Sequence, residues 1–150
     1  MITSALTVAI SADPQRVWQA LTDPGEIVRW DESRTGLIAP SPPYPEGKVR
    51  WRSKLGEVTV VLSEESVEVL PPRRLALRCR SGTLHYEQLY QLEPVRPSEK
   101  HEHCTNTSLK ISSDNRVWLV GAELDRFEVR RLMIGRIDST LRALQIWCER

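Results

Sequence analysis

The chain has 150 residues, of which 40% are hydrophobic and 27% are charged, with a formal net charge of +1. This length predicts one domain, residues 1–150, with enough buried surface for a core. The balanced charge gives no reason to expect a nucleic-acid partner, and no apolar run reaches the roughly 18 residues of a membrane helix. Because the three cysteines cannot all pair and the start carries no basic leader, we expect a reduced, cytoplasmic protein without integral membrane contact.

The N-terminal part predicts one strand followed by two short helices. Residues 2–10 alternate between faces, which indicates a half-buried strand. Asp-Pro pairs stand at 13–14 and 23–24. In each pair the Asp is a good N-cap and the Pro fits the first helical turn, while a residue before proline is disfavoured inside a helix. Each pair therefore begins a helix, and the second pair also ends the first helix. Glu26 follows Asp23 by three residues, as in a capping box.

The middle of the chain predicts a series of antiparallel strands. Residues 39–47 hold four prolines and predict a stiff loop. After it, residues 48–55 alternate between inward and basic side chains and predict a strand. A longer strand follows over 57–70, where a change in the alternation predicts a bulge near Glu64 and Glu65. We expect the glutamates of this strand to pair with the basic residues on a solvated outer face. Further strands are predicted within 75–79, 83–92 and 104–113.

The last 35 residues contain no proline and predict one long helix, from about residue 115 or 117 to residue 148. Its apolar side chains recur with a period of 3.6, as in a helix with one face on a core. They are Phe127, Met133, Ile134, Ile137, Leu141 and Leu144. Extended toward the N-terminus, this stripe passes through Arg130, Arg126 and Glu123. These charged groups either form the polar end of a cavity or lie on a solvated overhang of the helix, and the sequence leaves both open.

The order of these elements resembles the START-like superfamily, also called Bet v 1-like or SRPBCC, which includes polyketide cyclase/dehydrase and lipid-transport proteins. The segments that carry the resemblance are ISADPQRVWQALTDPGEIVRW, VEVLPPRRLALR, YQLEP and IDSTLRALQIW. The resemblance implies an α+β helix-grip fold, in which a curved antiparallel sheet of about seven strands surrounds the long C-terminal helix. The two short helices after the first strand then close one end of a space that usually holds an apolar ligand.

Side chains that face this space form the candidate binding site. Ligand pockets are mostly apolar, with a few placed polar groups. We therefore expect the ligand-binding residues on the second short helix, on the inner faces of the strands and on the inward-facing side of the last helix. The candidates are Trp30, Trp51, Tyr86, Gln88, Tyr90, Glu123, Arg126, Phe127, Arg130 and Met133. Ordinary core packing is the alternative for the aromatic residues among them.

The sequence carries no recognisable catalytic or cofactor motif. It has no nucleophile elbow, phosphate loop or dinucleotide fingerprint, so we expect no cofactor and assign no catalytic residue. The segment HEHC, residues 101–104, offers ligands from one short loop, whereas a structural zinc site needs about four ligands. We therefore expect no metal.

These observations favour a protein that binds a small apolar or aromatic molecule, such as a lipid, an isoprenoid or a polyketide-like compound, over an enzyme. One alternative is a cyclase, dehydratase or hydrolase acting in the same cavity, which would need an inward acid or base with a perturbed pKa. Another is a co-chaperone-like interaction module, which would need a filled interior and an exposed apolar patch. Whether the chain forms a homodimer is left open.

Overall fold

A computed structural model describes residues 2–55, 57–82, 84–95, 106–117 and 126–150. Within these residues the chain forms seven strands and three helices. In chain order they are β1 (Ile2–Ile10), α1 (Pro14–Thr22), α2 (Pro24–Trp30), β2 (Arg34–Leu37), β3 (Lys48–Leu55), β4 (Val58–Leu70), β5 (Arg74–Ser81), β6 (Leu84–Val95), β7 (Asn106–Val117) and α3 (Arg126–Cys148).

The strands form one antiparallel sheet in the order β1-β7-β6-β5-β4-β3-β2. From β3 to β7 each strand pairs with the next in the chain, so short connections suffice. The first strand instead pairs with the last, β7. The helix α3 packs mainly against β1, and α1 packs against β6, β7 and α3. This arrangement confirms the predicted α+β helix-grip fold with two short helices after the first strand.

The two Asp-Pro pairs start α1 and α2 as predicted. The Asp13 carboxylate accepts a hydrogen bond from the backbone N–H of Arg16, and the Asp23 carboxylate accepts one from the N–H of Gly25, both at 2.9 Å. The backbone of Asp23 is extended, with φ −90° and ψ 112°, and its N–H donates to the carbonyl of Gln19. One residue therefore ends α1 and caps α2, because proline at the next position disfavours a helical conformation for Asp23.

Glu26 does not complete a capping box. Its Oε1 accepts hydrogen bonds from Arg16 Nη1 at 2.6 Å and from Trp147 Nε1 at 2.8 Å. These contacts join α2 to α1 and to the last turn of α3. Glutamate at this position could have capped the helix, but the Glu26 carboxylate forms tertiary hydrogen bonds instead.

The core lies between the sheet and the helices. The predicted stripe of α3 is confirmed at Met133, Ile137, Leu141 and Leu144, which are all buried. Ile134 is the exception, because it is 37% exposed at a position next to the stripe. The largest fully buried strand side chains on the same core include Ile10, Leu75, Leu92, Leu109 and Ile111.

Besides small shifts at strand ends, three features of the fold differ from the sequence predictions. The register shift in β4 lies between Ser66 and Glu68 rather than near residues 64–65. The last strand, β7, continues through Val117, where a helix was predicted to begin, because it pairs with β1 as far as Asn115 and with β6 as far as Val117. The short strand β2 was not predicted, since four residues are too few for a clear alternation.

Candidate functional site

A cavity of about 1000 Å³ lies between the sheet and α3. Its walls come from three places: the inner face of β6 with Leu62 of β4, the segment from Trp30 to Arg34, and one side of α3. A space between the sheet and the long helix is where the resemblance led us to expect one. Because several α3 residues along this wall are exposed, Leu132 at 64% among them, the cavity opens to solvent beside that helix.

The sheet wall is aromatic and polar. Tyr86, Gln88 and Tyr90 alternate on β6 so that all three line the cavity. The two tyrosines are each only 4% exposed. Gln88 Nε2 donates to the Tyr90 hydroxyl at 2.6 Å, which fixes the direction of both polar groups.

Polar residues form rows across this end of the sheet. Ser4, Ser113 and Gln88 are in register on β1, β7 and β6. In the next row, Tyr86 is in register with Cys79 of β5, which is in register with Glu64 of β4. Beyond these rows most inner-face side chains, such as Leu75, Leu92 and Ile111, are apolar and belong to the core. The cavity therefore lies over the polar end of the inner face.

The α3 wall lies mainly beside the buried stripe of the helix, and Ile137 is a stripe residue that also lines the cavity. Gly135, Ser139 and Ala143 follow one another at intervals of four residues and so lie on one side of the helix. Because these side chains are small, they fill little of the space in front of them. A Cβ added at Gly135 would meet no heavy atom within 4 Å. Arg131, four residues before Gly135, continues this strip, Arg136 lies beside it, and both line the same wall.

A buried ion pair between Arg34 and Glu64 holds the wall that is formed by the segment from Trp30 to Arg34. Arg34 Nη1 and Nη2 donate to the two carboxylate oxygens of Glu64 at 2.7 and 2.9 Å. The Glu64 side chain is 1% exposed and the Arg34 side chain 11%. Arg34 Nε lies 3.2 Å from Asp31, and its guanidinium lies 5.0 Å from the centre of the Trp51 ring. This bidentate geometry is what two buried charges need to offset the loss of hydration.

The charges around Arg34 act on its neighbours. Burial lowers the pKa of Arg34, but attraction to Glu64, with smaller contributions from Tyr44 and Tyr90, outweighs it, so the pKa is raised overall. The Tyr44 hydroxyl donates to Glu64 Oε1 at 3.5 Å, and the Cys79 thiol donates to Glu64 Oε2 at 3.7 Å. Burial, reinforced by the nearby Glu64 carboxylate, raises the pKa of Cys79. A protonated thiol is a poor nucleophile, so Cys79 has a structural environment rather than a reactive one.

Tyr86 and Tyr90 also stay protonated. Burial is the largest cause that raises the pKa of each, and for Tyr86 the nearby Cys79 raises it further. Each hydroxyl therefore keeps a proton that it can donate in a hydrogen bond over the physiological pH range, and neither is a ready base.

The structure separates the predicted site residues into groups. Trp30, Tyr86, Gln88 and Tyr90 line the cavity. Trp30 is held there by a 2.8 Å hydrogen bond from its Nε1 to the carbonyl of Ala20. Trp51 is fully buried and lies behind the wall, under Arg34 and edge-on to Tyr44 at 5.4 Å between ring centres. It therefore supports the site rather than lining it.

The candidate residues of α3 lie on different surfaces of the helix. Arg130 is exposed and Met133 is buried in the core stripe, and neither lines the cavity wall. The side chains of Arg126 and Phe127, together with Glu123, lie outside the described residues. The arginines that do line the wall are Arg131 and Arg136, because the cavity faces the side of the helix next to its apolar stripe.

Two important residues escaped sequence reasoning. Glu64 was placed on the outer face, since the bulge was predicted just beside it; with the shift actually after Ser66, Glu64 has the same inward direction as Leu62. Arg34 gave no signal, because its strand is short and its partner is 30 positions away. The outward row on β3 was predicted correctly, as Lys48, Arg50, Arg52 and Lys54 are all exposed.

The described residues offer no other evident chemistry at this site. Among them, no group of three or more His, Cys, Asp or Glu side chains is arranged to hold a metal ion. The HEHC segment, residues 101–104, lies outside the described part of the chain. None of the described helices is long and apolar enough to cross a bilayer.

A sheet that grips a long helix beside a cavity defines a helix-grip architecture. The family described as polyketide cyclase / dehydrase and lipid transport matches residues 1–146, and the chain belongs to this family. No curated protein matches the chain at a significant level of sequence similarity.

Solved structures share the fold at low sequence identity. A START superfamily protein from Mycobacterium smegmatis superposes with a TM-score of 0.78 at 15% identity, covering 95% of this chain and 94% of that one. A conserved protein from Geobacillus kaustophilus gives 0.76 at 15% identity, covering 98% and 95%. A protein from Thermus thermophilus gives 0.74 at 18% identity, covering 97% and 96%. These likenesses extend over nearly the whole chain and concern the fold.

Removing the buried charge of Glu64 tests the ion pair. Glu64→Gln leaves Arg34 with Asp31 as its remaining acidic partner, so we expect a loss of about 3 kcal/mol in the free energy of unfolding. Urea denaturation followed by tryptophan fluorescence measures it. Glu65→Gln is the matched control, because the neighbouring side chain is 41% exposed and its contact with Arg78 is long, at 4.0 Å. If the two variants were equally stable, the proposed contribution of the Arg34–Glu64 pair to the free energy of unfolding would be contradicted.

Alkaline titration tests the environment of the tyrosines. The chain has three, and the pKa of each is raised above its ordinary value of 10.0 by burial. The unfolded chain therefore loses these protons near pH 10 while the folded chain keeps them, so stability falls as the pH rises above 10. We expect tyrosinate absorbance to appear in one cooperative step together with unfolding. A tyrosine that ionises near pH 10 while the far-ultraviolet circular dichroism stays native would contradict this.

Proposed function

We propose that the chain binds a small apolar or aromatic molecule in the cavity between the sheet and α3. The observation that carries the proposal is the cavity itself, about 1000 Å³ beside a core that is otherwise well buried. Sites for small ligands fall at about 300–1000 Å³, so this volume is at the upper end of that range. Membership of a family described by lipid transport and polyketide chemistry supports the same class of ligand.

The composition of the walls favours a ligand with an aromatic or aliphatic body. Trp30, Tyr86 and Tyr90 place aromatic side chains at the walls, each at most 8% exposed, and Leu62 and Ile137 add aliphatic ones. Polar and charged groups also line the walls, and some of them are held in place, notably the Gln88–Tyr90 pair and Arg34. Such fixed donors orient a ligand oxygen without adding flexible side chains to be ordered on binding. As part of the same proposal, the chain acts as one domain, residues 1–150, in the cytoplasm.

A catalytic role in this cavity, as a cyclase, dehydratase or hydrolase, is the second candidate. It is favoured by the presence of Arg34 and Tyr90 beside one cavity, since both can donate to a ligand carbonyl. Tyr90 would donate a hydrogen bond to the carbonyl oxygen as negative charge develops on it, because burial keeps the hydroxyl protonated. In that case a β-keto thioester incubated with the protein is consumed faster than in buffer, and Tyr90→Phe slows this about 100-fold. Equal consumption with and without the protein would contradict the candidate.

The interaction-module alternative receives less support. It required a filled interior, whereas the described residues enclose an open cavity. Exposed apolar side chains such as Leu132 are present, but this one lines the cavity itself.

Filling the cavity tests the main proposal. Gly135→Leu places an isobutyl group in open space on the α3 wall, and leucine is also the better helix former. We expect binding of the neutral fluorescent probe N-phenyl-1-naphthylamine to weaken at least about tenfold, equivalent to ~1.4 kcal/mol, while the thermal midpoint is unchanged or higher. Fluorescence titration measures the affinity.

Arg142→Leu is the control for this substitution. It adds a leucine to the same helix at a side chain that is 74% exposed and whose only described contact is a surface pair with Asp138. We expect its affinity for the probe to stay within about twofold of the unsubstituted protein. Unchanged probe binding in Gly135→Leu would contradict the proposed function.

A further inference from the structure

The arginines of the cavity are not equivalent. Arg34 is neutralised, because Glu64 binds it through two hydrogen bonds and Asp31 lies 3.2 Å from its Nε. Arg131 and Arg136 line the opposite wall, on α3. Neither forms an ion pair within 4.0 Å with a carboxylate of the described residues. The α3 wall thus carries positive charge that the described residues do not compensate locally.

Arg136 is placed to receive a ligand. Its guanidinium lies 5.6 Å from the centre of the Tyr86 ring, and Tyr86 belongs to the sheet wall. A guanidinium packed on an aromatic face keeps its N–H groups at the edge, where they can bind an anion in bidentate fashion. The charge therefore lies beside an aromatic surface, so one ligand can contact both at once.

Hydroxyl groups stand next to this charge. Ser139 and Thr140 follow Arg136 by three and four residues, so they share its side of the helix, and both line the cavity. The carboxylates on the cavity wall, Asp31 and Glu32, belong to the α2–β2 segment, and Asp31 is already engaged by Arg34 and Ser33. The two ends of the cavity therefore differ in charge, and the positive end is the α3 wall.

From this arrangement we infer that the ligand is an organic anion: an aromatic or aliphatic body carrying a carboxylate, sulfonate or phosphate. Arg136 binds the anionic group, with Arg131 adding to the positive field, and the body lies against Tyr86 and Tyr90. This inference rests on the proposed function and narrows it, because a neutral ligand would leave the charge of Arg136 unused.

A matched pair of probes tests the inference. 8-Anilinonaphthalene-1-sulfonate and N-phenyl-1-naphthylamine share one ring system and differ in the sulfonate. We expect the unsubstituted protein to bind the sulfonate at least tenfold more tightly in low salt, and this preference to shrink as salt is added. Arg136→Gln should weaken sulfonate binding at least tenfold and change binding of the neutral probe by less than twofold. Arg131→Gln should have a smaller effect in the same direction.

Arg142→Gln controls for the loss of one charge from α3, since Arg142 is 74% exposed and does not line the cavity. It should leave both affinities within twofold. Competition against the bound sulfonate probe by 2-naphthoate, 2-naphthyl phosphate and neutral 2-naphthol then separates the anionic groups. The anions should compete and the alcohol should compete at least tenfold less well.

The outcomes distinguish this inference from the proposal beneath it. Equal affinity for the two probes, or a preference that survives Arg136→Gln, would overturn the anionic ligand while leaving the cavity function standing. Failure of both probes to bind the unsubstituted protein would overturn the cavity function, and the anionic ligand with it.

Discussion

One helix cannot cover a seven-stranded sheet, and this constraint shapes the molecule. Strands about 4.8 Å apart make a sheet about 30 Å wide, whereas a helix with its side chains is about 10–12 Å across. Here α3 packs mainly on β1, at one edge of the strand order, and α1 covers part of β6 and β7. The helices leave part of the inner face of β6, together with Leu62 of β4, uncovered beside α3. The cavity lies over this uncovered part of the sheet.

The uncovered end is polar, and the ion pair between Arg34 and Glu64 belongs to it. A carboxylate on the inner face of a central strand would be costly without a partner. The short strand β2 supplies that partner by bringing Arg34 over the sheet, and Trp51 and Tyr44 pack around the pair. The pair thus fixes one wall of the cavity, while its two opposite charges largely neutralise each other. The charge available to a ligand comes from α3 instead.

Much of the fold could be predicted from local signals. The Asp-Pro pairs located both short helices, because caps and proline restrict the backbone within one or two residues. The buried stripe of α3 followed from its period, with Leu141 and Leu144 in the core as predicted. On the strands, alternation placed Tyr86, Gln88 and Tyr90 on one inward face, and these three line the cavity. Which of the inward aromatic residues line a cavity and which are core depends on tertiary packing, so Trp51 could not be told from Tyr90.

The errors have physical reasons of the same kind. A bulge reverses the direction of every later side chain, so an error of two or three residues in its position moved Glu64 from the inside to the outside. On α3, the cavity faces the side of the helix next to the apolar stripe, which the stripe alone does not reveal. Arg136 was therefore missed, while Arg130, on the extension of the stripe, is exposed. Glu26 suited a cap, but its carboxylate binds Arg16 and Trp147.

The proposed function requires a small-molecule ligand to lie between β6 and α3. Intermolecular nuclear Overhauser effects from N-phenyl-1-naphthylamine to the protein test this most directly, because the chain has only three tyrosines to assign. The account predicts effects to the ring protons of Tyr86 and Tyr90 and to the methyl group of Thr140, which line the same cavity from opposite sides. Effects confined to exposed residues on the outer face of the sheet, such as Val61 or Val67, would contradict it.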